Sequence, residues 1–543
     1  MVPSMRLLTL GAVLLTVPSV VTAQAKWVGH EEPCELNAGH YLLRGSTQYL
    51  QQAVETRFPD QRDARLAEAY RVLTEAIGSA GQDSEAAAWY YLGRYYVEKN
   101  EPAGADSAFG RAEELAPSCK DDIASHRRRV GPIALNEGLR AWGEQHVDSA
   151  ATYLRLAHHL MPDNAEVPLY LGIMYATSGP LDSAEMYVRQ GLEQAGADAA
   201  YAVRRKEAMK ELAQAYEARA YQDETVIRGP QARIARDTIQ PTIERDSTVF
   251  AQMVGRVQAI RAGGRQLDPQ SLQAFQQEST TVASRLDRAR TARDSVHRQA
   301  VADSQAAAEV LDPAIEAFKA FVEAYPDEGE AAMKLARLYS AAGRRTALTT
   351  LIERVATSEA VSATDMVQGA LTLSNDGQAA AAERLLDAAL TRNPYDYNAL
   401  YVLARLLYSR RDAERLPEVA QRLRALDPLS QNAMRTTAMA FDVLGQRDSV
   451  SHYVARADTG IGWNVNVTQF TPRDSSTVLA GAVSSVARGP LPPVTLVFEF
   501  LDTEGQVLFS ETVDVPALEP RARERISVRL DKGGAAAWRY SRK

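Results

Sequence analysis

The chain is written in a period of 34 residues, and that period restricts its fold more than any other feature. Trp89 is followed by Leu92-Gly93, Tyr96, Ala105, Phe109, Ala112 and Pro117. Related spacing returns from Gly131, as Gly138, Ala150, Leu154, Ala157 and Pro162, and from Ala165, as Gly172, Tyr175, Ala184, Val188 and Gly191. Further along, units start near Ser295, Gly329, Ala363, Tyr397 and Gln431, each 34 residues after the last. Their second halves carry Ala314/Phe318/Phe321/Pro326, Leu348/Ile352/Val355, Ala382/Leu386/Ala389/Pro394, Leu416/Ala420/Leu423/Pro428 and Val450/Val454/Ala457. A fixed period of this length marks a solenoid, in which each unit buries its apolar face against its neighbours.

The residue types explain the period. Two antiparallel helices approach closely only where small side chains meet, here Gly93, Ala105 and Ala112. Trp89, Leu92, Tyr96 and Phe109 fill the space between units, and Pro117 ends the second helix. The unit at Trp89, W-x2-L-G-x2-Y then A-x3-F-x2-A-x4-P, resembles the tetratricopeptide (TPR) family at every signature position. Counting degenerate units, the resemblance covers roughly 370 of the 543 residues. Residues about 37–78 keep the helical period without the consensus, as a terminal repeat does when its outer face meets water.

Between the arrays, residues about 199–310 stay helical in period and lose the signature. Gly229-Pro230, Gln240-Pro241, Gly263-Gly264 and Asp268-Pro269 punctuate this stretch. One helix is expected from Thr242 to Ala262. A longer one carries Leu272, Phe275, Val282, Leu286, Ala289, Val296, Ala300, Ala307 and Val310. Ser279, Arg293 and Asp303 interrupt its seam, which argues against a pure coiled coil. Two readings stay open: an insert packed on its own chain, or an arm for dimerisation or a partner.

At Trp463 the period changes from helical to two. Runs such as Val494-Thr-Leu-Val-Phe-Glu-Phe-Leu501 and Arg525-Ile-Ser-Val-Arg-Leu530 alternate between turn signals at Pro472-Arg473-Asp474, Gly489-Pro490, Asp502 to Gly505 and Asp531 to Gly534. Six or seven short strands predict a small β-sandwich. The stretches Val494 to Val507 and Val513 to Pro520 are similar to immunoglobulin-like domains of bacterial envelope proteins, which implies an accessory or adhesion module. The expected fold is therefore mostly α, a TPR α-solenoid with a long helical insert and a small all-β sandwich. The expected boundaries are 1–25 leader, 26–224 first array, 225–310 insert or arm, 311–462 second array and 463–543 sandwich.

The leader reading rests on Arg6, the apolar run Leu7 to Val21 and the small-x-small site Ala23-Gln24-Ala25. It implies export to a periplasm, cell envelope or exterior, with an uncleaved anchor as the alternative. Cys34 and Cys119 are the only cysteines. Composition leaves both pairing and free thiols open. The repeat frame adds an argument. Cys34 precedes the first helix of one pair and Cys119 follows the second helix of the next, so both fall on one edge of the stack, where a disulfide would staple the N-terminal cap.

Little in the chain suggests chemistry. The net charge of −8 is spread in both signs, without the basic stripe that nucleic acid requires. His158-His159 are adjacent on a helix and point about 100° apart, unlike an i, i+4 metal pair. Neither a phosphate-binding loop of the G-x-x-x-x-G-K-[ST] kind nor a G-x-S-x-G elbow occurs, and Gly263-Gly264-Arg265 lacks the strand context for phosphate. No enzyme, cofactor or metal is expected. The TPR resemblance implies a concave groove lined by the first helix of each pair. Its first-array positions are Tyr90, Arg94, Leu135, Leu139, Trp142, Leu169 and Ile173, mainly apolar. In the second array they are Met333, Arg337, Asn398, Tyr401, Arg405, Tyr408, Asn432 and Arg435, a set suited to an extended peptide with acidic groups. The Lys/Asn arrangement of chaperone-tail-binding members is not reproduced, so their ligand is not carried over. A protein or peptide scaffold is the leading function. A self-associating envelope protein using the arm and sandwich, and a carbohydrate-binding protein, are the alternatives.

Overall fold

The computed structural model describes residues 26–262 and 268–543. Residues 1–25, expected as a leader, and Gly263-Gly264-Arg265 lie outside the described residues, as do the side chains at 229–230. The chain divides into two bodies, Met1–Ala208 and Met209–Lys543.

The first body stacks four helix pairs: α1 (Tyr41–Glu55) with α2 (Pro59–Gly78), α3 (Ala86–Glu98) with α4 (Pro102–Leu115), α5 (Lys120–Gly143) with α6 (Val147–Leu160), and α7 (Glu166–Ser178) with α8 (Leu181–Ala195). Their shared core includes Leu43, Leu50, Leu73, Tyr90, Phe109, Ile123 and Leu154. Glycine sets the closeness of each pair. A Cβ on Gly93 would lie 2.5 Å from the Phe109 ring, on Gly138 2.8 Å from Leu154, and on Gly172 2.5 Å from Val188. α5 begins well before Gly131, the start expected from the repeat frame. Asp121 and Asp122 sit at its N-terminus, where the helix dipole favours carboxylates. Its first turns bury Ile123 and His126, and it continues through the exposed Pro132.

The division between the bodies falls within α9 (Ala202–Ala220). In the second body, α10 (Glu224–Ala262) and α11 (Pro269–Ala324) pack as an antiparallel hairpin. α10 starts far ahead of Thr242 and runs through both 229–230 and 240–241. A proline removes one backbone hydrogen bond from a helix. Burial of Ile243, Met253, Val282 and Leu286, with Asp246 held by Arg285 at 2.6 and 3.1 Å, offsets that loss along the seam. Leu272, expected on the seam, is exposed.

The unit expected to start at Ser295 is not a separate helix pair, because α11 continues through it to Ala324 with Pro313 inside. Ala213 and Ala220 of α9 instead join Ala307, Leu311, Ala314, Phe318 and Val322 of α11 in one buried cluster. The hairpin of α10 and α11 thus stands in the chain between α9 and the repeats that begin at α12.

The remaining repeats follow in frame: α12 (Gly329–Ala341) with α13 (Arg345–Thr357), α14 (Ala363–Asn375) with α15 (Ala379–Arg392), α16 (Tyr397–Ser409) with α17 (Leu416–Leu426), and α18 (Gln431–Val443) with α19 (Arg447–Ala455). Between each pair the chain turns through a left-handed residue, Gly343, Gly377, Arg411 and Gly445, again 34 residues apart. The next amide reaches back to close the turn, as in Gln378 N to Leu373 O at 2.8 Å and Asp412 N to Leu407 O at 2.9 Å. This is the Schellman arrangement, which satisfies the orphan carbonyls at a helix end.

Six strands follow: β1 (Trp463–Pro472), β2 (Thr477–Ser485), β3 (Val494–Leu501), β4 (Val507–Val515), β5 (Arg523–Leu530) and β6 (Ala537–Arg542). They form two antiparallel sheets, ordered β1-β2-β5 and β4-β3-β6. Alternate residues Leu496, Phe498 and Phe500 of β3 point into a core shared with Val465, Leu479, Ile526 and Val528. The fold is therefore a TPR-type solenoid with a helical insert, followed by a small β-domain.

Candidate ligand-binding surfaces

The inner face of the first body is not the open apolar groove expected from the sequence. Tyr90 and Arg94 are buried, at 0% and 3% exposure. Residues 27–31 cross over them. The Arg94 guanidinium lies 4.1 Å from the Trp27 ring centroid and donates to the Val28 carbonyl at 2.9 Å. Glu31 N donates to Asp122 Oδ1 at 3.1 Å. The Tyr90 hydroxyl donates to Asp122 Oδ2 at 2.5 Å and meets His126 Nε2 at 3.2 Å. Burial, and then Arg94, push His126 down to about 3, against the pull of Asp122. Burial above all pushes the Tyr90 hydroxyl up. Three residues past this strap, Cys34 is bonded to Cys119.

The other first-body positions also depart from a groove. Leu169 and Ile173 are buried, because Leu169 fills the space that a side chain at Gly191 would occupy. Leu135, Leu139 and Trp142 are half-buried and pack against the core. His158 meets Gln190 at 3.1 Å, and His159 lies 3.2 Å from Asp106.

The second body keeps a polar inner surface. On α16, Asn398, Tyr401, Arg405 and Tyr408 fall at helical spacing on one face. Asn398 and Arg405 are exposed. Tyr401 stacks on Tyr397, rings parallel and 6.3 Å apart. Tyr408 donates to Asp442 Oδ2 at 3.2 Å, and Arg411 reaches the same oxygen at 3.3 Å. On neighbouring helices, Arg337 lies over the Tyr221 ring at 5.0 Å, and Arg435 faces Asp458 at 3.5 Å. Asn432 is exposed, and Met333 is half-buried against Gly369.

This surface runs into a cleft that sequence reasoning missed. The cleft, of about 350 Å³, is bounded by Gln368 and Asn398 on the repeats and by Gln469, Phe470 and Trp538 on the β-domain. A polar seam beside it fixes the β-domain to the last repeats. Tyr540 Oη donates to Asp427 Oδ1 at 2.6 Å and accepts from Leu429 N at 2.9 Å. Asn393 Nδ2 donates to the Ala536 carbonyl at 2.9 Å, and Trp538 stacks on Tyr397 at 5.4 Å. Burial pushes the Asp427 carboxyl up to about 6, although Tyr540, Ser430 and Tyr397 all donate to it. The strand alternation placed Trp538 in a sheet, but no local pattern tells that this sheet meets α14 and α16.

No protein-family model matches the chain, and no curated protein matches it. Solved structures similar to it include the human IFIT1 dimer with PPP-AAAA, at 13% identity over 78% of this chain and 95% of that one, with a TM-score of 0.17. The assembly chaperone of RpL4 (Acl4) is 14% identical over 52% and 98%, with a TM-score of 0.18. The apo form of RapI is 11% identical over 77% and 96%, with a TM-score of 0.17. Scores this low carry no weight on shape or role, so the solenoid assignment stands on the helix register alone.

Proposed function

We propose that the chain is an exported scaffold that holds an extended, acidic protein segment along the inner face of its second body, one end seated in the cleft beside the β-domain. One observation carries this reading: Asn398 belongs both to the cleft lining and to the α16 face that presents Arg405. Exposed amides bond a backbone in register, and exposed guanidiniums take carboxylates in bidentate fashion. Export is favoured by the apolar leader and by a disulfide that uses both cysteines, since such bonds persist in oxidising compartments. Two facing antiparallel sheets are the layout that an immunoglobulin-like accessory module would have.

The test is an array of acidic peptides, about 12 residues each at the span of the face, read by fluorescence anisotropy. Binding is expected to weaken about tenfold or more in Arg405→Ala and Asn398→Ala, as hot-spot truncations do, and to be unchanged in Trp142→Ala. Equal loss in all three variants, or none, would remove the second inner face as the site.

A further inference from the structure

The buried cluster under residues 27–31 is built oddly for a structural cap. Arg94, Asp122 and His126 are each at least nine-tenths buried, and Tyr90 is fully so. Even so, Arg94 Nε and His126 Nδ1 find no hydrogen-bond partner among the described residues. The strap packs only Trp27 against the core, whereas Val28 remains 57% exposed and Gly29, His30 and Glu31 are exposed too. What the strap offers the cluster is the Trp27 ring on Arg94, the His30 ring edge-on to Tyr90 at 6.4 Å, the Val28 carbonyl and the Glu31 amide. These are the contacts an extended peptide makes with a groove, side-chain anchors interleaved with main-chain bonds that follow the first of them. The tether lies outside them. With Cys34 fixed to Cys119, residues 27–31 can leave the face while the bond stays closed.

We propose that the face formed by α3 and α5 is a second peptide-binding site, and that residues 27–31 are its resident ligand. An extended segment of another protein binds there on displacing the strap, its aromatic side chain against Arg94 and its backbone on Arg94 and Asp122. The site is independent of the second-body surface. Because the strap is tethered, its effective concentration is on the order of 1 mM, and a free competitor works against that.

The experiment compares chains starting at residues 26 and 32, both retaining Cys34, with a fluorescent peptide of sequence Lys-Trp-Val-Gly-His-Glu-Glu-Pro. Circular dichroism and a free-thiol assay establish that the shorter chain is folded and bonded. Saturable binding to the shorter chain is expected, about tenfold weaker in the longer one, where the tethered strap competes. Arg94→Gln in the shorter chain should abolish it. No saturation of the folded shorter chain by about 2 mM peptide, a level above the tether's effective concentration, overturns the proposal. Should the shorter chain not fold, hydrogen exchange on full-length Trp27→Ala decides. Faster exchange confined to 27–31 supports a displaceable ligand, and faster exchange through α3 and α5 refutes it.

Discussion

Tyr540→Phe removes one oxygen from the seam between the repeats and the β-domain, and its effect is expected to depend on pH. The hydroxyl has two jobs, donating to Asp427 Oδ1 at 2.6 Å and accepting from Leu429 N at 2.9 Å. Stranding the Leu429 amide costs about 1 kcal/mol or more, and losing a bond to an ionised carboxylate about 2 more. At pH 8 the substitution should therefore destabilise by about 3 kcal/mol. Asp427 is raised from 3.8 to about 6 by burial. A raised carboxyl contributes stability that is present below pH 4 and lost as pH climbs through 6, here about 3 kcal/mol in all. Removing a donor that favours the carboxylate raises that value further, so the variant suffers most on the alkaline side. Below pH 5 Asp427 is neutral, and the cost falls to about 1 kcal/mol. Urea unfolding followed by tryptophan fluorescence reads this, since Trp463 and Trp538 both lie in the β-domain. An equal cost at pH 5 and pH 8 would refute the reasoning, because Asp427 would then not change charge beside Tyr540.

Replacing both Cys34 and Cys119 by Ser opens a loop with a sequence separation of 85 residues. By the chain-entropy model this lowers stability by about 4–5 kcal/mol, measurable as an earlier urea transition. Denatured, unreduced wild-type protein should show no reactive thiol. Gly172→Ala puts a methyl 2.5 Å from Val188 Cγ2 and 3.0 Å from its backbone nitrogen, where little can give, and should cost about 1–3 kcal/mol. Gly45→Ala, in α1 with open space around the new methyl, should instead add up to about 1 kcal/mol. A calorimetric scan that ranked these two glycines the other way would undo the close-approach account.

The repeat register was legible because it is a local steric code. Glycine or alanine must recur where helices cross, so the starts at Gly329, Ala363, Tyr397 and Gln431 could be read directly. What stayed hidden depends on contacts distant in sequence. Pro230 and Pro241 look like breaks until α11 is laid along α10. Ser295 looks like the start of a repeat because α11 carries a suitable apolar spacing, but the helix runs through it unbroken to Ala324. The repeat pattern puts Tyr90 and Arg94 on an inner helix, but nothing local tells that residues 27–31 come back to cover them. The cleft at Trp538 joins residues more than 130 positions apart, which periodicity does not report.

The hairpin α10–α11 stands between α9 and the repeats that begin at α12. Its 39-residue first helix is about 58 Å long at 1.5 Å per residue. That length is decoupled from the array: adding or deleting about seven residues from both helices together preserves the seam and leaves every later repeat in frame. The length of the hairpin can therefore drift in evolution while the repeats that follow keep their register.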